Sequence, residues 1–160
     1  MNQNLMRIKE VLHQGMIQNF KKDGELAPIM FFVDGGIPIF RLIPPKLLAD
    51  VTGKEILAKN LKNIAKKASV TAVGIIMEAY GTKVSNNSEM AKLLLNGGLR
   101  VGELKEKQDL IVLIFSTVEG EEVVMYEVDP QTKSIGRLYL DKEAGKNSDG
   151  IFSHFFDNNN

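Results

Sequence analysis

Three carboxylates stand where the side chains of active sites are often found. Glu78 follows the apolar stretch 70–77, Asp34 lies at the tip of a glycine hairpin, and Asp109 precedes another apolar stretch. Active sites often collect at strand ends, and oxygen ligands suit a divalent cation. Acidic residues at strand ends also keep a protein soluble, which is the commoner reason for them. These three residues are the catalytic candidates, and we assign no residue to a metal ion or a cofactor.

Familiar catalytic motifs are missing or incomplete. His13 and His154 are the only histidines, which limits acid–base catalysis near neutral pH. Residues 103–105 have the E-x-K spacing of a restriction-type nuclease, but no Pro-Asp precedes them on a strand. The Gly-Lys pair at 53–54 lacks the rest of a phosphate-binding P-loop, and the absence of cysteine excludes thiolate zinc sites and cysteine nucleophiles. The sequence therefore favours a protein without enzymatic activity.

Lysines give one predicted helix a basic face. Lys59, Lys62 and Lys66 recur at helical spacing, with Lys54 and Lys67 nearby. Such a face could follow a phosphate backbone, but a solvated helix surface has the same pattern, and stacking aromatics and arginines are missing beside it. Lys and Arg number 20 and so do Asp and Glu, so no overall basic field attracts a polyanion. Nucleic-acid binding is therefore only a weak alternative.

The end of the chain holds an apolar island between polar residues. Ile151, Phe152, Phe155 and Phe156 are flanked by Asn, Asp, Gly and Ser. Docked on the sheet, the island would close the core, whereas a free island would be a ligand for another protein. Docking is favoured because exposed phenylalanines promote aggregation. We predict a tail over residues 143–160 that is partly disordered or docked through these residues, and Phe152, Phe155 and Phe156 are the interaction candidates.

Length and composition indicate one ordinary globular domain, which we place over residues 1–142. The chain has 160 residues, and its 44% hydrophobic and 25% charged residues argue against disorder. The first 18 residues interleave polar and apolar side chains and so lack the core of a signal peptide. No window reaches the roughly 20 apolar residues of a membrane span. We expect a cytoplasmic protein with no membrane partner.

Three almost continuously apolar stretches organise the predicted fold. Residues 26–33, 70–77 and 110–118 are too short to cross a membrane, so each is predicted to be a strand covered on both faces. One helix layer cannot cover both faces of such strands. The second layer would come from another helix, the Phe-rich tail or a second subunit, which leaves a homodimer open.

The remaining elements follow from spacing and turn residues. An apolar stripe from Leu5 to Phe20 predicts a first helix that ends near Gly24. Asp34-Gly35-Gly36 predicts a hairpin, and the capping-box spacing of Thr52 and Glu55 opens a second helix. That helix would bury one apolar side: Ile56, Leu57, Leu61, Ile64 and Ala68.

The C-terminal half predicts a short helix over 89–95 and then a meander of strands at 110–118, 123–128 and 135–140. The whole order is α-β-β-α-β-(α)-β-β-β. We predict an α+β fold with a mixed, mostly antiparallel sheet of about six strands and two main helices.

The opening helix and two short phrases resemble a group of uncharacterised small proteins from bacteria and phages. The phrases are Asp-Gly-Glu-Leu-Ala-Pro at 23–28, before an apolar strand, and Glu-Ala-Tyr at 78–80, which ends a later strand. In that group the later phrase more often ends in Trp, and an Arg followed by an acidic residue precedes the next strand. Arg100 and Glu103 occupy those places here. The resemblance implies no activity and no functional residues.

The missing motifs and the doubly apolar strands together favour a non-enzymatic protein. It would act through protein–protein contacts, either by forming a homo-oligomer or with another protein. One alternative is a metal-dependent enzyme that uses Glu78, Asp34 and Asp109. The other is weak nucleic-acid binding by Lys59, Lys62 and Lys66.

Overall fold

The computed structural model describes residues 1–81 and 108–141 together with Phe152, Phe155 and Phe156. Within them the chain forms two α-helices, a short 3-10 helix and six strands. Their bounds are α1 Gln3–Asp23, β1 Ile29–Asp34, β2 Ile37–Leu42, the 3-10 helix Pro45–Leu47, α2 Val51–Ala65, β3 Val70–Gly81, β4 Gln108–Thr117, β5 Gly120–Asp129 and β6 Ser134–Asp141. The predicted order is confirmed, while the predicted helix over 89–95 and the boundary between 142 and 143 lie outside the described residues.

The described strands form one antiparallel sheet in the order β2-β1-β3-β4-β5-β6. The predicted α+β class is therefore confirmed. Gly35 and Gly36 close the β1–β2 hairpin with positive φ values of 59° and 80°, which a two-residue primed turn requires. β4, β5 and β6 follow one another as the predicted meander. β1 joins the meander through β3, so β2 lies at one edge of the described sheet and β6 at the other.

α1 covers one face of the sheet, called the α1 face below. The Asn2 side chain caps the helix by accepting from the Leu5 N–H at 2.8 Å, and Gly24 ends it in the left-handed conformation, with φ 73°. The predicted stripe is buried in a core cluster with residues of β1, β3, β4 and β5. Its fully or nearly fully buried members are Leu5, Leu12, Met16 and Phe20.

α2 covers the opposite face, called the α2 face, over β1 and β3. Leu57, Ala58 and Leu61 are buried in a second cluster that includes Val73 and Ile75 of β3. Phe155 is buried in the same cluster, with Phe152 and Phe156 partly buried beside it, whereas Ile151 lies outside the described residues. Residues from the end of the chain therefore contribute to the cover of this face.

The start of α2 differs from the predicted capping box. Asp50, rather than Thr52, is the N-cap residue, and its carboxylate accepts from the Gly53 N–H at 2.8 Å. An aspartate with extended backbone geometry caps a helix at least as well as a threonine, so the helix begins one residue before Thr52. Two members of the predicted apolar side also differ, because Ile56 is exposed and Ala68 lies beyond the last helical residue.

The predicted bounds of β1, β3 and β4 need correction, and β5 and β6 are longer than the predicted 123–128 and 135–140. Residues 26–28 precede β1, which begins at Ile29, although Leu26 is still buried. β3 continues to Gly81 because it pairs with β4 as far as Gln108. β4 in turn begins at Gln108 and ends at Thr117, so Val118 belongs to the turn. No helix among the described residues is both long and apolar enough to cross a membrane.

Candidate functional site

Two of the three catalytic candidates are neighbours on the sheet. Glu78 lies opposite Ile111, and Tyr80 lies opposite Asp109, so Glu78 and Asp109 are diagonal neighbours on one face. Such positions have Cβ atoms about 7–8 Å apart or slightly closer. Glu78 lies three residues before the end of β3, and Asp109 is the second residue of β4, so both belong to the strands that the sequence analysis placed them beside. The reason is that β3 and β4 extend beyond their apolar stretches and keep pairing through polar residues.

Asp34 lies far from the other two carboxylates. It is the last residue of β1 and pairs with Val70, the first residue of β3. Glu78 follows Val70 by eight residues, which at about 3.3 Å per residue separates them by roughly 26 Å along the strand. The three carboxylates therefore do not converge on one site.

The surroundings of Glu78 favour its neutral form. Partial burial raises the pKa of its carboxyl above the ordinary value, and the negative charges of Glu25 and Asp109 raise it further. A hydrogen bond from the Leu26 backbone N–H acts in the opposite direction on that pKa. Within the described part of the chain, no three His, Asp or Glu side chains form a group that could hold a metal ion.

The lysine candidates all lie at the surface of α2. Lys59 and Lys62 are exposed on the helix, and Lys66 is its exposed C-cap residue. Lys66 therefore follows the last helical turn rather than extending the face of an intact helix. The nucleic-acid interpretation stays a prediction.

His13 belongs to the interface between α1 and β5. A hydrogen bond of 2.8 Å joins its Nε2 to the hydroxyl of Tyr126, and the two rings lie 5.6 Å apart between centroids. One helical turn earlier, the Lys9 ammonium forms an ion pair with Glu122. These polar contacts hold the helix on the sheet. The other histidine, His154, and the segment 103–105 lie outside the described residues.

The most distinctive exposed feature of the described residues is strand β2. Phe40 lies opposite Phe31, and Leu42 lies opposite Ile29, so both side chains project from the α1 face. α1 packs mainly across β4 and β6, and its first turn reaches the hairpin, where the Asn4 side-chain amide donates to the Gly36 carbonyl at 3.2 Å. Phe40 is 47% exposed and Leu42 is 73% exposed. Large apolar side chains are thus presented to solvent side by side.

The backbone of β2 also presents N–H and C=O groups that pair with no other strand of the described sheet. In a two-residue hairpin, the residues flanking the turn form a hydrogen-bonded pair, and such pairs alternate along the ladder. The backbone N–H and C=O groups of the odd-numbered residues of β2 therefore point toward β1. The 2.9 Å hydrogen bond from the Ile43 N–H to the Pro28 carbonyl agrees with this pattern. The backbone groups of the even-numbered residues point away from β1, where no described strand pairs with them. These residues are Pro38, Phe40 and Leu42. We call these outward groups and the Phe40 and Leu42 side chains the β2 edge surface.

Two residues restrict how this surface can be used. Pro38 has no N–H, so the outward donors of the β2 edge surface are the amides of Phe40 and Leu42. The Arg41 guanidinium donates to the Phe40 carbonyl at 3.0 Å. A carbonyl oxygen has two lone pairs, so it can accept a second hydrogen bond. Natural edge strands often carry prolines and charges that limit unspecific pairing.

The sequence alone does not identify β2 as an edge strand, because edge position depends on strand order. The apolar residues of 37–43 suit a central strand as well as an edge. Pro38 lacks a ladder donor, and so does Pro28 before β1, which predicts a non-bonded side or a strand end for each of them.

Comparison with models of protein families found no match for this chain. Comparisons with curated proteins and with solved structures found none either.

Proposed function

We propose that this protein acts through protein–protein contacts made at the β2 edge surface. The observation that carries the proposal is the coincidence of outward backbone groups and two exposed large apolar side chains on one strand. Exposed single apolar residues are ordinary on protein surfaces. A strand edge that joins them to available amides is the arrangement to which an extended segment adds as a further strand.

The energetics fit a recognition surface. Each added main-chain hydrogen bond contributes about 0.5–1.5 kcal/mol net. Covering Phe40 and Leu42 removes apolar area from water at about 25 cal/mol per Å². Both contributions arise at Phe40 and Leu42, so the hydrogen bonds and the apolar burial would together stabilise the binding of one extended segment. The opposite edge strand, β6, exposes Leu138 at 46% and provides a natural comparison.

The carboxylate and lysine hypotheses remain separate predictions. An enzyme that uses Glu78 and Asp109 would bind magnesium, manganese or calcium, so calorimetry should detect heat and the cation should raise the melting temperature. Nucleic-acid binding by the lysines would be salt-sensitive and would be lost in the K59E/K62E variant. Asp34 lies too far away to share a site with Glu78 and Asp109.

Amide hydrogen exchange tests the proposed function. A peptide of alternating valine and threonine, which favours extended structure, serves as a general probe for strand addition. An excess of this peptide should slow exchange at the Phe40 and Leu42 amides of the ¹⁵N-labelled chain. A control peptide made only of proline should leave both amides unprotected, because it has no N–H to donate and adopts the polyproline II conformation instead of a strand.

Two further measurements keep the test decisive. The F40K/L42K variant should lose the protection, whereas L138K should retain it. If neither the probe peptide nor a higher concentration of the chain itself slows exchange at these two amides, β2 is not a contact surface and the proposed function is wrong.

A further inference from the structure

The β2 edge surface can pair with the same strand of a second copy of the chain. An antiparallel pair of identical strands can be related by a two-fold axis, so that each strand supplies the other's donors and acceptors. The outward residues of β2 alternate with inward ones, so only certain registers bring outward residues opposite each other. Pairing of this kind rests on the proposed function of β2 as a contact strand.

One register satisfies both the hydrogen bonds and the charges. With Phe40 opposite Phe40 of the partner subunit, the two residues exchange a reciprocal pair of N–H to carbonyl bonds. Leu42 then lies opposite Pro38, and its N–H donates to the Pro38 carbonyl across the pair. The missing Pro38 donor falls at the end of the ladder, where the Leu42 carbonyl remains accessible to water. Arg41 lies opposite an isoleucine, Ile39, so no like charges meet.

Neighbouring registers are less favourable for separate reasons. A pair centred on Arg41 keeps the same number of hydrogen bonds but sets two guanidinium groups opposite each other, which is destabilising. A pair shifted toward the hairpin sets Pro38 opposite Phe40 and loses central donors. A pair centred on Leu42 sets Phe40 opposite Pro44, which also lacks an N–H.

We infer that the occupant of the β2 edge surface is a second copy of this chain, paired antiparallel about a two-fold axis at Phe40. The Phe40 and Leu42 side chains of both copies then form one apolar row on the α1 face. The six strands of each copy join into one continuous sheet. The Arg41 guanidinium shares the Phe40 carbonyl with the incoming amide, which favours a reversible dimer over a permanent one.

Single-cysteine crosslinking tests both the partner and the register. The chain has no cysteine, so each introduced thiol can react only with its equivalent in another copy. In the inferred register the two Phe40 Cα atoms lie about 5.5 Å apart, within the roughly 4.4–6.8 Å range of a disulfide. The two Leu42 positions are offset by four residues, or about 13 Å, which is too far. F40C should therefore form a disulfide-linked dimer under mild oxidation, whereas L42C should not.

V11C provides a control for random collision. Val11 is 71% exposed on α1, so its thiol is more accessible than that at position 40. Crosslinking of F40C should exceed that of L42C and V11C at least tenfold. Circular dichroism should show that all three variants fold, since each replaces an exposed side chain. Sedimentation of the unmodified chain should also show a concentration-dependent dimer that F40K abolishes.

The possible results separate this inference from the proposed function. Equal crosslinking at Phe40, Leu42 and Val11, or a chain that stays monomeric at every concentration, overturns the dimer. Preferential crosslinking of L42C overturns the register. If the valine–threonine peptide still protects β2 in a monomeric chain, the proposed function stands and the partner is a foreign strand.

Discussion

Phe31 and Phe115 pack together across the sheet, with ring centroids 5.7 Å apart and an interplanar angle of 31°. They do not lie on adjacent strands, because β3 runs between β1 and β4. The residue between them is Gly74, which pairs with Phe31 on one side and Phe115 on the other. Because glycine has no side chain, the space above this position is free for the two rings to pack against each other. The core of the α1 face therefore depends on the absence of a side chain in the middle of β3.

Substitution of Gly74 by alanine is expected to destabilise the fold severely. A Cβ atom there would enter the space of the Ile114 carbonyl oxygen and the Phe31 ring. Overpacking of a core costs typically about 1–3 kcal/mol, and the backbone contact should place this variant at or above that range. Urea unfolding provides the measurement. Gly15→Ala is the control, because nothing lies within 4 Å of its added Cβ and α1 should gain up to about 1 kcal/mol. Equal stability of G74A and the unmodified chain would contradict the packing argument.

Removal of the Asp50 cap should weaken α2. In D50A the Gly53 amide loses the carboxylate that accepts its hydrogen bond, so we expect a loss of about 1 kcal/mol. T52A should change stability by less, because Thr52 lies inside the helix rather than at its N-cap. Thermal or urea unfolding of the two variants compares the positions directly. A larger loss in T52A would restore the predicted capping box.

Stability should depend on pH through Glu78. Because burial raises its pKa in the folded state, protonated Glu78 stabilises the fold relative to ionised Glu78. That stability is fully present below the pKa of the unfolded chain and is lost as pH rises through the higher pKa of the folded state. Glu78→Gln removes the charge and keeps an oxygen for the Leu26 N–H. We expect E78Q to be more stable at pH 7 by less than about 1 kcal/mol, since the site is solvent-screened.

Urea unfolding at pH 7 and at pH 3 tests this prediction. At the lower pH the Glu78 carboxyl is protonated in both states, so the difference between E78Q and the unmodified chain should shrink. E55Q is a suitable control, because Glu55 is exposed on α2. A stabilisation that persists unchanged at pH 3 would point to an effect unrelated to the charge.

Arg41 should set the strength of association at β2. Its guanidinium occupies one lone pair of the Phe40 carbonyl, and its charge lies beside the proposed pairing row. Arg41→Ala frees that carbonyl and removes the charge, so we expect the dimer dissociation constant to fall at least several-fold. Sedimentation equilibrium provides the measurement. R7A serves as a control for net charge, because Arg7 is exposed on α1. Unchanged or weaker dimerisation of R41A would show that Arg41 does not weaken association at this edge.

Local patterns in the sequence were sufficient for the element order and the α+β class. The stripe from Leu5 to Phe20 specifies α1 because helical periodicity depends only on neighbours three and four residues apart. The two glycines of the β1–β2 hairpin likewise specify a turn through their own backbone freedom. Local patterns did not determine where the strands end. β3 continues past its apolar stretch, through Glu78 to Gly81, because it pairs with β4 there.

Strand order was decided only by the tertiary structure. The insertion of β3 between β1 and β4 brings Phe31 and Phe115 to Gly74, separates Asp34 from Glu78, and leaves β2 at an edge. These relationships join residues that are far apart in the chain, and the packing of two helices on two faces selects among strand orders that local propensity cannot distinguish. By itself the sequence therefore determined which segments become strands and helices. Long-range packing decided which side chains are covered and which strands lie at the edges of the described sheet.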